Sequence, residues 1–253
     1  VIDVRIYFLS ARNLRRNFFL TVLLVFVAAT FYAVLLRQPA AVPTAADHFP
    51  IVYKVKTKEK VAALTFDISW GEEVPRPVLD ILDQEDLRCT FFLSGPWAAK
   101  HPEIARRIAE DGHEVGSHGW RHENYSTFSD AMIKEEIAKA HKVLVETTGQ
   151  KPSLIRTPNG DWNERVVKAI SEAGYQTIQW SIDSLDWKDI GPQESTKRVL
   201  DRLEPGAIIL MHASDSAEQT PISLPHIIKG IKEKGYKLVT VSELLKYGRG
   251  VAE

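Results

Sequence analysis

A single cysteine, Cys89, leaves no intrachain disulfide framework and no thiolate metal cluster. It stands in Cys89-Thr90-Phe91-Phe92-Leu93, which reads as a buried strand, and apolar burial disfavours the reactive thiolate. Charge of either sign is not in excess: 32 Lys and Arg face 33 Asp and Glu, a formal net charge of -1. That balance gives no electrostatic case for nucleic acid. No G-x-G-x-x-G succeeds an apolar run, so a dinucleotide-binding fold has no support.

The chain does hold one long uncharged apolar stretch, Phe18 to Leu36, of 19 residues. That is just long enough to cross a bilayer as a helix. Arg12, Arg15 and Arg16 precede it, which by the positive-inside rule keeps residues 1–17 cytoplasmic and exports the chain beyond Arg37. The expectation is a membrane-anchored protein: anchor at 18–36, an Ala- and Pro-containing tether at 37–56, a folded domain at 57–248 outside the cytoplasm and a tail at 249–253. The alternative is a signal peptide cleaved near Pro39-Ala40-Ala41, giving a secreted domain.

From Val61 onward short apolar runs alternate with amphipathic segments. Strands are expected at 61–66, 89–93, 114–117, 153–155, 175–182, 207–211 and 236–241. Helices are expected at 75–86, 96–110, 129–148, 163–173, 193–203 and 224–234, with a short final one. Lys and Glu on the helices at 129–148 and 224–234 read as solvated faces. Repeated strand–helix units close into a barrel or form an open doubly wound sheet. About seven units point to a slightly short (β/α) barrel.

In such barrels the active site lies at the C-terminal ends of the strands. Those ends carry Asp67, His118, Arg156, Asp183 with Asp186, and His212, in that order. His118 and His122 are four apart and could close on one metal ion, imidazole being a common zinc ligand. Taken alone, the pair could equally be two surface residues on one helix face. His48, His101, His141 and His226 are isolated and read as structural or surface residues. His113 reads as a packing residue, and Asp183 as a loop-capping group. Trp70, Trp97, Trp120 and Trp162 could stack on sugars or pack in the core.

Five segments come in order: Thr65-Phe66-Asp67, His118-Gly119-Trp120-Arg121-His122, Arg156-Thr157-Pro158-Asn159-Gly160, Asp183-Ser184-Leu185-Asp186-Trp187 and Leu210-Met211-His212. They resemble the motifs of the NodB-type polysaccharide deacetylases, carbohydrate esterase family four, over about Val61 to Tyr247. Asp67-Ile68-Ser69-Trp70-Gly71, together with the expected anchor and Leu210-Met211-His212-Ala213-Ser214-Asp215-Ser216, resembles the PdaB-type sporulation branch more closely still. The resemblance implies a distorted (β/α) barrel that removes N-acetyl groups from amino sugars of a cell-wall polymer such as peptidoglycan, with a divalent metal, usually zinc. It implies Asp67 as general base, His212 as general acid, Arg156 holding the base and Asp186 tuning the acid. His118 and His122 would hold the metal. Asn159 would offer a backbone N–H to the oxyanion, and Trp187 and Leu210 would wall the acetyl methyl.

The sequence departs from that pattern at Ile68, where the family carries a second aspartate as third metal ligand. Gly119 replaces a hydroxyl residue and Glu123 a proline; Glu123 is a conceivable substitute ligand. Two other readings remain open at this point. One is a non-catalytic wall-binding scaffold that lost its metal function through Ile68. The other is a glycoside hydrolase using Asp67 and Asp186 as a carboxylate pair, which leaves both histidines without a role. Protein partners are not legible in the sequence.

Overall fold

The computed structural model describes residues 20–22, 51–188 and 190–252. Leu20–Val22 are helical and exposed, and the rest of the expected anchor, together with 37–50, lies outside the described residues. Among the described residues no helix is long and apolar enough to cross a membrane.

The compact unit Phe49–Glu253 opens with two short strands, β1 (Ile51–Val52) and β2 (Lys54–Lys56). β3 (Val61–Ile68) leads into α1 (Pro75–Gln84). β4 (Thr90–Leu93) leads into α2 (Gly95–Lys100) and α3 (Pro102–Glu110), and β5 (Glu114–Ser117) into α4 (Asp130–Thr148). β6 (Leu154–Ile155) is followed by α5 (Glu164–Glu172), β7 (Gln176–Ile178) and β8 (Ile182–Asp183) by α6 (Pro192–Arg202), and β9 (Ala207–His212) by α7 (Thr220–Glu233). β10 (Lys237–Leu238), α8 (Val241–Leu244) and β11 (Arg249–Val251) complete it.

Strands β7, β6, β5, β4, β3 and β9 lie side by side in that order, all parallel. β1 pairs with β7 and β2 with β9, so the continuous segment 51–56 joins the two edges and closes a distorted barrel. β8 also pairs with β9, and β11 covers β2.

The alternation along β3 shows why this strand is central. Ala62, Leu64, Phe66 and Ile68 pack in the same apolar cluster as Val78 and Leu79 of α1 and Ile104 and Ile108 of α3. Val61 and Ala63 belong to a second cluster with Phe92, Ile178 and Ile208. The first set faces the helices and the second the barrel interior, so Thr65 and Asp67 fall on the interior face by the two-residue period. Each fully buried Leu, Ile or Phe in the outer layer contributes roughly 1.5–3 kcal/mol.

Local signals end the helices where the sequence indicates. Ser129 accepts from the Met132 N–H and Asn163 from the Val166 N–H, each satisfying a free donor of the first turn. Gly149, at φ 73°, closes α4.

Five expectations are corrected. The helix at 96–110 is two helices broken at His101, because Pro102 cannot donate an amide hydrogen to continue the first. The strand at 175–182 is β7 and β8 on different partners, since Gln179 N donates to Val52 O and the chain then swings across to β9. The last long helix begins at Thr220 rather than 224 and carries Pro225 within it. The sheet takes β1 and β2 from the expected tether 37–56 and β11 from the expected tail. Glu136 of α4 is not on a solvated face but 2% exposed.

Barrel closure depends on a close approach at Gly206, whose φ is 78° and whose carbonyl accepts from Val55 N. A Cβ there would lie 1.8 Å from the Val55 carbonyl oxygen. Gly206→Ala is therefore expected to destabilise the domain by about 2 kcal/mol or more, from left-handed strain plus displaced backbone. A urea midpoint indistinguishable from wild type would show that the closure is not tight at this point.

Candidate active site

Asp67 and His212 are register partners on the adjacent parallel strands β3 and β9. Both therefore reach the same end of the barrel. His118 immediately follows β5, Arg156 immediately follows β6, and Asp183 ends β8. The C-terminal strand ends thus converge on one cavity of about 330 Å³. Its lining includes Asp67, His118, His122, Asn159, Asp183, Trp187, Leu210 and His212. Arg156 and Asp186 stand behind it, both fully buried.

Arg156 organises one side of the site. Its Nη1 donates to Asp67 Oδ1 at 2.8 Å and to Thr65 Oγ1 at 2.9 Å, and its Nη2 donates to Gln179 O at 3.0 Å. The guanidinium lies 4.3 Å from the Phe92 ring centroid and 5.4 Å from that of Trp180. Burial works to raise the Asp67 carboxyl. The Arg156 charge and hydrogen bond, with the charge of His212, outweigh burial and hold it below its ordinary value. Asp67 is thus an ionised carboxylate with Oδ1 occupied and Oδ2 turned towards His118 Nε2, 3.8 Å away.

His212 is set up in the opposite sense. Asp186 Oδ1 lies 2.8 Å from its Nδ1, and Asp186 Oδ2 accepts from the His212 backbone N–H and from Thr220 Oγ1. Burial works to lower the imidazole. The hydrogen bond and charge of Asp186 outweigh it, so the ring's affinity for a proton is raised. With Nδ1–H committed to a carboxylate, Nε2 is the nitrogen left for the cavity.

The histidine pair has the donor chemistry of a metal site. His118 Nδ1 is 2.8 Å from the Arg156 carbonyl oxygen, a contact that requires Nδ1–H and leaves the Nε2 lone pair free. Burial pushes His118 down to about 4 and also lowers His122, so both are neutral. The ring centroids are 5.3 Å apart. The residues therefore fit one divalent cation with two imidazole ligands beside the Asp67 carboxylate. The third protein ligand is missing in structural terms as well: Ile68 is fully buried and faces the helices. Glu123 is exposed and does not line the cavity. Among the described residues, three candidate donors within 4.8 Å of one another occur at Glu72, His101 and Glu103. Arg76 already bridges those two carboxylates, at 3.1 and 3.4 Å.

Sequence reasoning missed several supports. Glu136 accepts from Arg121 N at 2.8 Å and Arg121 Nε at 3.0 Å, pinning the turn between the two histidines. Thr220 and Gln219 hold Asp186 from the start of α7. Trp180 packs on Arg156 and lines the cavity. None sits in a motif, and only tertiary contact reveals them. Gly119 has φ 75° and a side chain there would overlap Tyr125 Oη, which accounts for glycine at that place. Asp183 Oδ1 accepts from Leu185 N, capping a turn in which Leu185 has φ 55°. Asn159 has φ 59°, and its side chain donates to Asn124 Oδ1. His113 Nδ1 accepts from Cys89 N, and its buried Nε2 has no hydrogen-bond partner among the described residues.

The sequence profile of polysaccharide deacetylases matches residues 54–178. A peptidoglycan-N-acetylglucosamine deacetylase of Bacillus cereus is 34% identical over 200 residues, covering 78% of this chain and 93% of the relative. The chain belongs to the polysaccharide deacetylase family. Two other relatives are longer than the region they share with it. The uncharacterized protein YlxY of Bacillus subtilis is 34% identical over 77% of this chain and 60% of its own length. Peptidoglycan-N-acetylglucosamine deacetylase PgdA of Listeria monocytogenes is 37% identical over 77% of this chain and 41% of its own length. Among solved structures, the carbohydrate esterase family four pseudoenzyme BA3943 of Bacillus anthracis aligns with a TM-score of 0.76 and 34% identity, over 81% of this chain and 72% of the other. A BA3943 mutant described as having restored enzymatic activity aligns with the same TM-score at 35% identity, over 81% and 74%.

Two outcomes are expected of this site. Asp186→Asn removes the charge that raises His212, so the His212 imidazole should titrate at lower pH than in wild type. NMR titration of the ring protons reads this directly, and an unmoved midpoint would mean that Asp186 does not control it. Ile68→Asp should tighten zinc binding by about tenfold, ~1.4 kcal/mol, through an added ligand and a compensating charge. Because position 68 faces the helices, the end of β3 must turn inward, and the metal-free variant should lose stability to an unpaired buried carboxylate. A zinc titration identical to wild type would contradict the missing-ligand argument.

Proposed function

We propose that this protein is a metal-dependent N-deacetylase acting on amino sugars of a cell-wall polysaccharide, with peptidoglycan as the substrate class. The observation that carries this reading is the facing pair of oppositely tuned groups, Asp67 held ionised by Arg156 and His212 held protonatable by Asp186. Deacetylation needs both at once. An acetamide is a poor electrophile, water is a poor nucleophile and an amine is a poor leaving group. Asp67 Oδ2 takes the proton of the attacking water, with Oδ1 fixed by Arg156 so that the carboxylate does not turn away. His212 Nε2–H delivers a proton to the departing amine, and Asp186 stabilises the charged ring until then. A divalent cation on His118 and His122, with zinc the ion that imidazole donors suit, supplies Lewis acidity toward the acetamide carbonyl and toward water. The backbone N–H of Asn159 serves the developing oxyanion, and Leu210 and Trp187 enclose the acetyl methyl. The B. cereus and L. monocytogenes relatives, named as peptidoglycan-N-acetylglucosamine deacetylases, support the substrate class.

The same reading places the domain outside the cytoplasm on an anchor at 18–36, supported by the length of that apolar stretch and the arginines before it. Secretion after signal cleavage is the alternative. A role in sporulation rests on the PdaB-type resemblance of 67–71 and 213–216.

A second function has two observations in its favour. Ile68 removes a metal ligand, and a structural neighbour is described as a pseudoenzyme. On that reading the barrel binds wall polymer without turning it over. Acetate release from peptidoglycan in excess zinc separates the two. Asp67→Asn and His212→Ala should each lower the rate roughly 100- to 10,000-fold, the range for one positioned proton-transfer group. Equal acetate release by wild type and both variants would favour the scaffold. Loss confined to variants of the histidine pair would keep the metal and refute the base and acid assignments.

A further inference from the structure

Two segments that the catalytic chemistry leaves unused, 69–74 and 213–216, are bound together at the cavity mouth. Asp215 accepts three backbone N–H groups, from Glu72 at 3.1 Å, Glu73 at 3.0 Å and Val74 at 3.0 Å. Its own N–H donates to Trp70 O, and Ser69 N donates to Ser214 Oγ. Gly71 has φ 81° and leaves the space that the Asp215 carboxylate fills, while Trp97 Nε1 donates to Gly71 O at 2.7 Å. A loop tied at this many points is rigid. The side chain it holds out is Trp70, edge-on to His122 with centroids 5.1 Å apart.

Burial of the indole does not explain this arrangement. Trp70 lines the cavity yet is 46% exposed, as is Trp187, another indole of the same lining. Trp97, by contrast, is 2% exposed and packs in the core. A large apolar face fixed in solvent at a binding site has lost conformational freedom without the benefit of burial, which is the condition of a preformed stacking surface. The size of the cavity limits the ligand portion that enters it. At about 330 Å³ it lies at the lower end of ligand pockets, so a polymer sends only its reacting residue inside. The neighbouring sugar rings must lie along the rim.

Resting on the deacetylase reading, we propose that Trp70 is a specificity-determining residue, stacking on a pyranose ring next to the reacting one. The site therefore selects a glycan chain over a free amino sugar. The acetyl group is gripped by the cavity, and the chain by the indole on the Asp215-tethered loop.

Binding is tested on the full chain in chelator, where turnover is stopped, by calorimetry with chitotetraose and with N-acetylglucosamine. Wild type should bind the tetramer more tightly than the monomer. Trp70→Ala should weaken the tetramer about tenfold and leave the monomer nearly unchanged, while Trp70→Phe keeps most of the affinity. Zinc affinity, measured separately, should not change in Trp70→Ala. Tetramer binding unaffected by Trp70→Ala, or no preference for tetramer in wild type, overturns the proposal. A fall in zinc affinity with unchanged tetramer binding also overturns it and makes Trp70 a support for His122. Acetate release from peptidoglycan separates the two levels. Wild-type turnover with a KM that Trp70→Ala does not raise leaves deacetylation standing and removes the platform. Trp70-dependent tetramer binding without turnover keeps the platform and removes the activity.

Discussion

A guanidinium with no exposure at all sits at the centre of this barrel, and the rest of the site is arranged around it. Burying an unpaired charge is prohibitive, and breaking a buried pair costs about 3–5 kcal/mol. Arg156 must therefore be met by groups of the right kind at both terminal nitrogens and on its flat faces. Asp67 supplies the opposite charge, Thr65 and Gln179 supply oxygens, and Phe92 and Trp180 supply ring faces. The carbonyl of Arg156 in turn orients His118. One residue thus fixes the ionised state of the proposed base and the tautomer of a proposed ligand. The bend between β7 and β8, which delivers Gln179 O to Nη2, belongs to the same requirement.

The second organising pair is His212 with Asp186. Here the carboxylate is the fully buried member, and it is met by a backbone N–H, an imidazole and a threonine hydroxyl. Its hydrogen bond and charge keep the neighbouring ring basic. Asp67 and His212 stand side by side as register partners on adjacent strands. Their opposite tuning is the physical core of the functional reading, and neither pair depends on Ile68. Ile68 offers no ligand on one wall, while the proposed acid and base on the other walls keep all their supports.

Membership of the polysaccharide deacetylase family is consistent with this division. The family's motifs are strand ends, and strand ends in a parallel barrel meet whatever the helices between them do. The pair of segments 69–74 and 213–216 adds to that frame. Asp215 and Gly71 make them into a rigid rim, and Trp70 is the side chain that rim presents.

The sequence by itself determined the succession of strand–helix units and the chain positions of the reactive residues. Alternating apolar runs and helical periodicity are local, and Asp67, His118, Arg156, Asp186 and His212 each lie at or just beyond a strand end that those patterns mark. It also marked Ile68 as unable to ligate. Tertiary structure alone decided that 51–56 closes the sheet, that 175–182 divides between two partners and that Glu136 is buried against Arg121. It alone decided that Trp70 and Trp97, alike as letters, are exposed and buried. The reason is the same in each case. These outcomes turn on which distant backbone or side chain arrives opposite the residue, and no periodicity within a segment encodes its partner.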